Sequence, residues 1–200
     1  MAAMQNHFLL LPLFFLGMVS SVMATVFTLQ NSCSYTIWPG TLTGNGGAIL
    51  GATLKGGGRG GAPPVSLVEL TISSRGDKDF YDVSLVDGYN VGIGVRPSGG
   101  SGDCKYAGCV ADVNANCPQE LQVVDGGGAV VACRSACAAF NKPEYCCSGD
   151  HGTPETCGPT QYSLIFKNAC PAAYSYAYDD QTSTFTCTGA DYLITFCPTA

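Results

Sequence analysis

The chain is short of basic residues, of charge in general and of histidine. Only 12% of its 200 residues are charged, with 9 Lys and Arg against 15 Asp and Glu, and there are 2 His. A net charge of -6 excludes a nucleic-acid binder, because neutralising phosphates needs a surplus of Lys and Arg. It equally excludes polybasic docking on anionic lipid. No Asn-x-Ser/Thr sequon is present, so N-glycosylation is not expected. No serine has a Gly-x-Ser-x-Gly setting, which leaves serine-hydrolase chemistry without support. Disorder is excluded by a hydrophobic content of 46%.

What the chain has in quantity is cysteine and glycine, 12 and 26 residues. So many thiols in so short a chain point to disulfides and an oxidising compartment. Zinc would be the competing explanation. Cys133 and Cys137 are separated by three residues and Cys104 and Cys109 by four, neither the tight spacing of a structural zinc knuckle. His151 is the one histidine beyond the N-terminal segment. No metal and no cofactor are expected. Cys146 and Cys147 are adjacent, so ordinary disulfide geometry sends them to different partners, but spacing alone cannot choose the connectivity.

Residues 1–24 contain no Lys, Arg, Asp or Glu. Residues 8–19 are apolar apart from Pro12 and Gly17, and Val22-Met23-Ala24 offers a small-x-small cleavage site. This predicts a signal peptide over 1–24 and secretion. The apolar run is too short to span a bilayer comfortably, so no stable membrane anchor is expected.

Strand signals dominate the rest. Residues 26–29 and 35–38 read as short strands around a polar turn. Between residues 40 and 61 glycine and small residues erase any periodicity, which predicts a loop. Gly56-Gly57-Gly58-Arg59-Gly60-Gly61 formally matches a phosphate-binding pattern, yet Pro63-Pro64 follows instead of a helix, and a glycine-rich loop is the better reading. In residues 65–72, Val68, Leu70 and Ile72 share one parity, expected to face the core, and Glu69 and Thr71 the other. Residues 79–86 repeat the pattern, with Tyr81, Val83 and Leu85 against Asp82 and Ser84. Asp87-Gly88 predicts a turn, and residues 89–95 a returning strand that ends at Pro97. From 104 to 170 cysteines crowd the chain, and one helix is predicted over residues 130–140. Further on, Tyr174, Tyr176 and Tyr178 alternate as on one face of a strand, or as a sugar-stacking platform. Residues 182–187 and 192–197 close the β structure.

These residues resemble a known family. Thr25-Val26-Phe27-Thr28-Leu29-Gln30-Asn31-Ser32-Cys33-Ser34-Tyr35-Thr36-Ile37-Trp38-Pro39-Gly40 is similar to the mature start of plant thaumatin-like proteins, the group 5 pathogenesis-related family. So are Phe80-Tyr81-Asp82-Val83-Ser84-Leu85-Val86-Asp87-Gly88-Tyr89-Asn90, Tyr145-Cys146-Cys147, Tyr174-Ser175-Tyr176 and Ile194-Thr195-Phe196-Cys197-Pro198. The resemblance implies a mainly β fold: a truncated, antiparallel thaumatin-like β-sandwich with a disulfide-rich, partly helical insertion. The β domain would comprise 25–98 and 171–200, and the disulfide-rich subdomain 99–170. Full-length members carry sixteen cysteines; this chain has 12. A segment with four cysteines is replaced here by the glycine-rich stretch 51–61. The resemblance implies six bridges: Cys33–Cys197, Cys104–Cys187, Cys109–Cys170, Cys117–Cys133, Cys137–Cys146 and Cys147–Cys157.

The family carries an acidic cleft between its two domains. Matched motif by motif, its carboxylates fall on Glu69, Asp82, Asp87 and Asp179. The cleft arginine belongs to the missing segment, and Arg59 is not its counterpart. The resemblance implies a secreted, apoplastic, monomeric defence protein that binds β-1,3-glucan or other components of the fungal surface. The alternatives it leaves are a weak endo-β-1,3-glucanase, with Glu69 as proton donor and Asp87 as base, and a non-catalytic enzyme inhibitor or structural stress protein. Clustered carboxylates can supply the raised-pKa acid and ionised partner that glycoside hydrolysis requires.

Overall fold

The computed structural model describes residues 24–41, 62–73 and 76–199. The expected leader up to residue 23, the glycine-rich stretch 51–61 and Arg59 lie outside the described residues.

Among the described residues nine strands build three sheets. They are β1 (Phe27–Asn31), β2 (Leu67–Thr71), β3 (Asp79–Ser84), β4 (Ile93–Ser98), β5 (Ala107–Gly108), β6 (Gln122–Val124), β7 (Val130–Cys133), β8 (Phe185–Cys187) and β9 (Asp191–Phe196). One sheet has the order β1-β9-β4-β5, the second β2-β3-β8, and β6 and β7 form a separate pair. Pairing is antiparallel except between β1 and β9, which run parallel.

The core forms between the two larger sheets, and alternation builds it. Tyr81 and Val83 of β3, with Leu85 just beyond, are buried, and Val68, Leu70 and Ile72 pack against them from β2. Val95 from β4 and Tyr192 and Ile194 from β9 meet them from the other sheet. The Tyr81 and Tyr192 rings lie 5.3 Å apart. Buried aromatic rings remove large apolar areas from water and contribute heavily to a small β core. Asp79 is buried here too, and it accepts hydrogen bonds from Tyr192 Oη and from the Ser73 amide, both at 2.8 Å.

The insertion is tied to the β domain at several points. Its β5 joins the larger sheet beside β4, Cys104–Cys187 cross-links it to β8, and Cys109–Cys170 closes within it. Cys33–Cys197, Cys117–Cys133, Cys137–Cys146 and Cys147–Cys157 complete six bridges, and no cysteine is left unpaired. Helices α1 (Ala136–Phe140), α2 (Pro143–Cys146) and α3 (Gln161–Ala169) pack in this region, and α4 (Asp180–Ser183) follows it. Among the described residues no helix is long and apolar enough to cross a membrane.

Four expectations about local structure need correction. The helix predicted over 130–140 is two elements. Val130 and Val131 are β-branched and pair as β7 with β6, and the helix starts only after Ser135, whose Oγ accepts from the Ala138 amide at 3.2 Å. Residues 35–38 pair with no strand among the described residues, and Tyr35 and Trp38 stand exposed. The returning strand begins at Ile93, because Tyr89 is engaged elsewhere, in a two-way backbone bridge to Cys133 at 2.8 Å. Residues 182–187 begin as the end of α4, with only the last three extended.

Candidate functional site

An open cleft of about 430 Å³ lies along the outer face of β2 and β3. The pleat that sends Tyr81 and Val83 into the core turns Asp82 and Ser84 the other way, and Glu69 and Thr71 of β2 do the same. Asp87 enters from the turn after β3, and Asp180 from the first residue of α4. Leu67, Val86, Tyr174 and Ala177 complete the wall.

The Asp87-Gly88 turn is fixed by sterics. Gly88 has φ +97°, and a Cβ there would sit 2.6 Å from both the Cys133 carbonyl oxygen and Pro64 Cβ. Only glycine meets both demands, so Asp87 is held at the lip of the cleft by its neighbour.

Tyr174 adds a short extension to the sheet. Its amide donates to the Val83 carbonyl at 2.8 Å and its carbonyl accepts from the Leu85 amide at 2.9 Å. The phenol then reaches across the cleft. It donates to Asp180 Oδ1 at 2.8 Å and makes a very short contact with Thr184 Oγ1. Burial, more than the neighbouring carboxylates, pushes its pKa up to about 12. The phenol is therefore a fixed donor that positions Asp180.

Glu69 and Asp82 are direct cross-strand partners. Like charges so placed repel, with Cβ atoms roughly 5 Å apart in such pairs. Asp82 is the more enclosed: its Oδ1 is shut off from solvent and has no hydrogen-bond partner. Burial, then Glu69, then Asp180 push its pKa up to about 7. Among the described residues no Lys, Arg or His lines the cleft to offset these charges.

The structure brings Glu69, Asp82 and Asp87 together as expected from the sequence, but it does not place Asp179 with them. Asp179 turns inward. Its Oδ2 pairs with Lys167 Nζ at 2.9 Å and accepts from the Ser175 amide and Oγ at 3.0 Å each. Lys167 is held in turn by the Ala173 carbonyl and Ser183 Oγ. With its donors already supplied, Asp179 is a structural anchor for the start of α4, and Asp180 is the cleft residue. The tyrosine stripe is not a strand face either. Tyr174, Tyr176 and Tyr178 lie in a turning segment, where Tyr178 Oη donates to the Gly152 carbonyl at 2.7 Å and only Tyr174 lines the cleft. His151 sits in the insertion, its Nδ1 2.8 Å from the Thr156 carbonyl. Among the described residues no group of His, Cys, Asp and Glu is arranged to hold a metal ion.

Sequence comparison places this geometry among known proteins. The chain is 54% identical over 221 positions to pathogenesis-related protein 5 of Arabidopsis thaliana, covering 89% of this chain and 92% of that one. It is 52% identical over 223 positions to pathogenesis-related thaumatin-like protein 3.5 of Cryptomeria japonica, covering 88% and 91%. A Prunus avium protein named glucan endo-1,3-beta-glucosidase is 45% identical over 223 positions, again 88% and 91%. These alignments are longer than the 200-residue chain itself, so the relatives carry residues with no counterpart here. The Thaumatin family model matches residues 50–198. A match over so much of the chain, with relatives this similar along most of their own length, makes the protein a member of the thaumatin family.

Proposed function

We propose that this protein is a secreted plant-defence protein that binds fungal cell-wall β-1,3-glucan in the acidic cleft. The defence reading is supported by the pathogenesis-related names of its relatives. Secretion to the apoplast is supported by six disulfides with no cysteine left over, a state that persists only where thiols are oxidised. The observation that carries the binding reading is the cleft itself. Glu69, Asp82, Asp87 and Asp180 converge on one open groove from two strands, a turn and a helix start. Carboxylates accept hydrogen bonds from sugar hydroxyls without requiring a charged ligand. The Tyr174 ring adds an aromatic surface in the same wall.

The experiment is retention on insoluble β-1,3-glucan. Wild type should be retained, and the Glu69→Gln/Asp87→Asn double variant at least about tenfold less, as expected for the loss of two charge-assisted hydrogen bonds. Equal retention of the two proteins would refute the reading and favour a role as an inhibitor or a structural stress protein.

A second reading, weak endo-β-1,3-glucanase activity, is favoured by one observation. Asp82, pushed up to about 7, stands directly opposite Glu69, which supplies the acid and base pairing that glycoside hydrolysis needs. The acid in that pair is then Asp82, with Glu69 or Asp87 as the second carboxyl group. Reducing sugar released from laminarin by wild type and not by Asp82→Asn would support this reading. Release by neither would leave binding alone.

A further inference from the structure

We infer that Asp82 is the proton-bearing residue of the cleft, and that its ionisation switches the cleft from a form that binds neutral polysaccharide to one that does not. The choice of ligand rests on the glucan reading given above; the proton assignment rests on the cleft geometry.

Among the described residues, four carboxyl groups and no cation line the cleft. The described cation nearest the same segment, Lys167, is already committed to Asp179, Ser183 and the Ala173 carbonyl. With no described cation in the lining to offset them, the proton belongs to the carboxyl group whose ionised form is solvated worst. The surroundings differ sharply among the four. Glu69 and Asp87 stand exposed, and Asp180 accepts a hydrogen bond from Tyr174 Oη. Asp82 alone has an oxygen closed off from solvent with no donor.

The groups that face Asp82 all act in one direction. From β2 it meets Glu69 in direct register, and from α4 it meets Asp180. Tyr174, in the segment beside β3, contributes a phenol that stays neutral and donates elsewhere. Asp87 adds a carboxylate at the lip. Burial and these neighbours together push Asp82 up to about 7.

Ligand binding then couples to that proton. A sugar chain lying in the cleft covers Asp82 and excludes water from it. Its hydroxyls can donate to Glu69, Asp87 and Asp180, but none can reach Asp82 Oδ1, which is already shut off. Coverage excludes water from the remaining open side of Asp82 and strengthens its repulsion with Glu69 and Asp180 across a drier cleft, so the ligand binds the protonated form more tightly. Asp82 is a positioning residue in this account, one that fixes the charge state of the cleft.

The test is a titration of wild type and Asp82→Asn from about pH 5 to 9, with two readouts. Carboxyl ¹³C NMR should show one group with a midpoint near 7, absent from Asp82→Asn and moved to lower pH in Glu69→Gln. Retention of wild type on insoluble β-1,3-glucan should fall about tenfold between pH 6.5 and 8, while that of Asp82→Asn stays level. No carboxyl titrating above about pH 6, or the same fall in the Asn variant, would overturn the inference. A midpoint near 7 without glucan retention at any pH would uphold the proton assignment and overturn the glucan reading.

Discussion

Asp179 and Asp180 are adjacent, chemically identical and differently employed. One oxygen of Asp179 takes the half-buried Lys167 ammonium and two Ser175 donors, and Asp180 takes a phenol in the open cleft. The sequence places an acidic pair at the right point of the chain but cannot choose between its members. The choice depends on Lys167, 12 residues upstream, and on Tyr174, and neither contact leaves a local signal. A clear prediction follows at this scale. Asp179→Asn leaves Lys167 as a half-buried charge without its carboxylate and should lower unfolding stability by about 3 kcal/mol in urea denaturation. Asp180→Asn should change stability by less than about 1 kcal/mol and weaken glucan retention instead. Reversed effects would show that the roles are misassigned. Glu69, Asp82 and Asp87 were legible because strand parity and a turn signal fix which way they point. The protonation of Asp82 was not, because it depends on which strand lies alongside and on what shuts off Oδ1.

At the scale of elements, what could be read from the chain was local alternation. The pairing of β2 with β3 and the inward set Tyr81, Val83 and Leu85 follow from a period of two over six or more residues. The insertion was less legible, because disulfides there replace the apolar pattern that would betray its helices. The residues around Cys133 read as helix by composition, yet Cys133 is bonded to Cys117 and bridges Tyr89, which holds the segment extended. The longest helix, α3, went unpredicted. Its signal is a capping box, with Ser163 Oγ accepting from the Thr160 amide at 2.8 Å and Thr160 Oγ1 from the Ser163 amide at 3.2 Å. That pairing uses serine where the usual motif has Glu or Gln. The turn after β3 offers the sharpest test of an element. Gly88→Ala must meet Pro64 and the Cys133 carbonyl at 2.6 Å in a left-handed conformation, and should cost about 2 kcal/mol or more. Urea unfolding checks it. A loss below about 0.5 kcal/mol would mean that the turn relaxes freely and does not fix Asp87.

At the scale of the molecule, closure by cross-links stands beside a chain that lacks residues its relatives carry. Among the described residues β1 has one neighbouring strand, and it is exposed along its length, with Phe27 and Leu29, and Val26 just before it, turned to solvent. The alignments show that relatives carry residues this chain lacks. Cys33–Cys197 joins the two ends of the β domain across a separation of 164 residues. On a chain-entropy account it restricts the unfolded state by up to about 5 kcal/mol, the largest effect of the six bridges. The Cys33→Ala/Cys197→Ala variant should lose several kcal/mol in urea unfolding, more than the Cys147→Ala/Cys157→Ala variant, whose bridge spans 10 residues. Equal losses would mean that β1 is held by its ladder with β9 and not by the bridge. This pairing came from family resemblance; no spacing rule selects it among the many that 12 cysteines allow.

The central claim is that carboxylates gathered by β2, β3, the Asp87-Gly88 turn and α4 form a glucan-binding cleft. A binding isotherm on insoluble β-1,3-glucan near pH 5.5 tests it most directly, comparing wild type with Glu69→Gln/Asp87→Asn. The account predicts saturable retention of wild type and at least about a tenfold weaker isotherm for the double variant. Superimposable isotherms, or no retention of wild type, would contradict it.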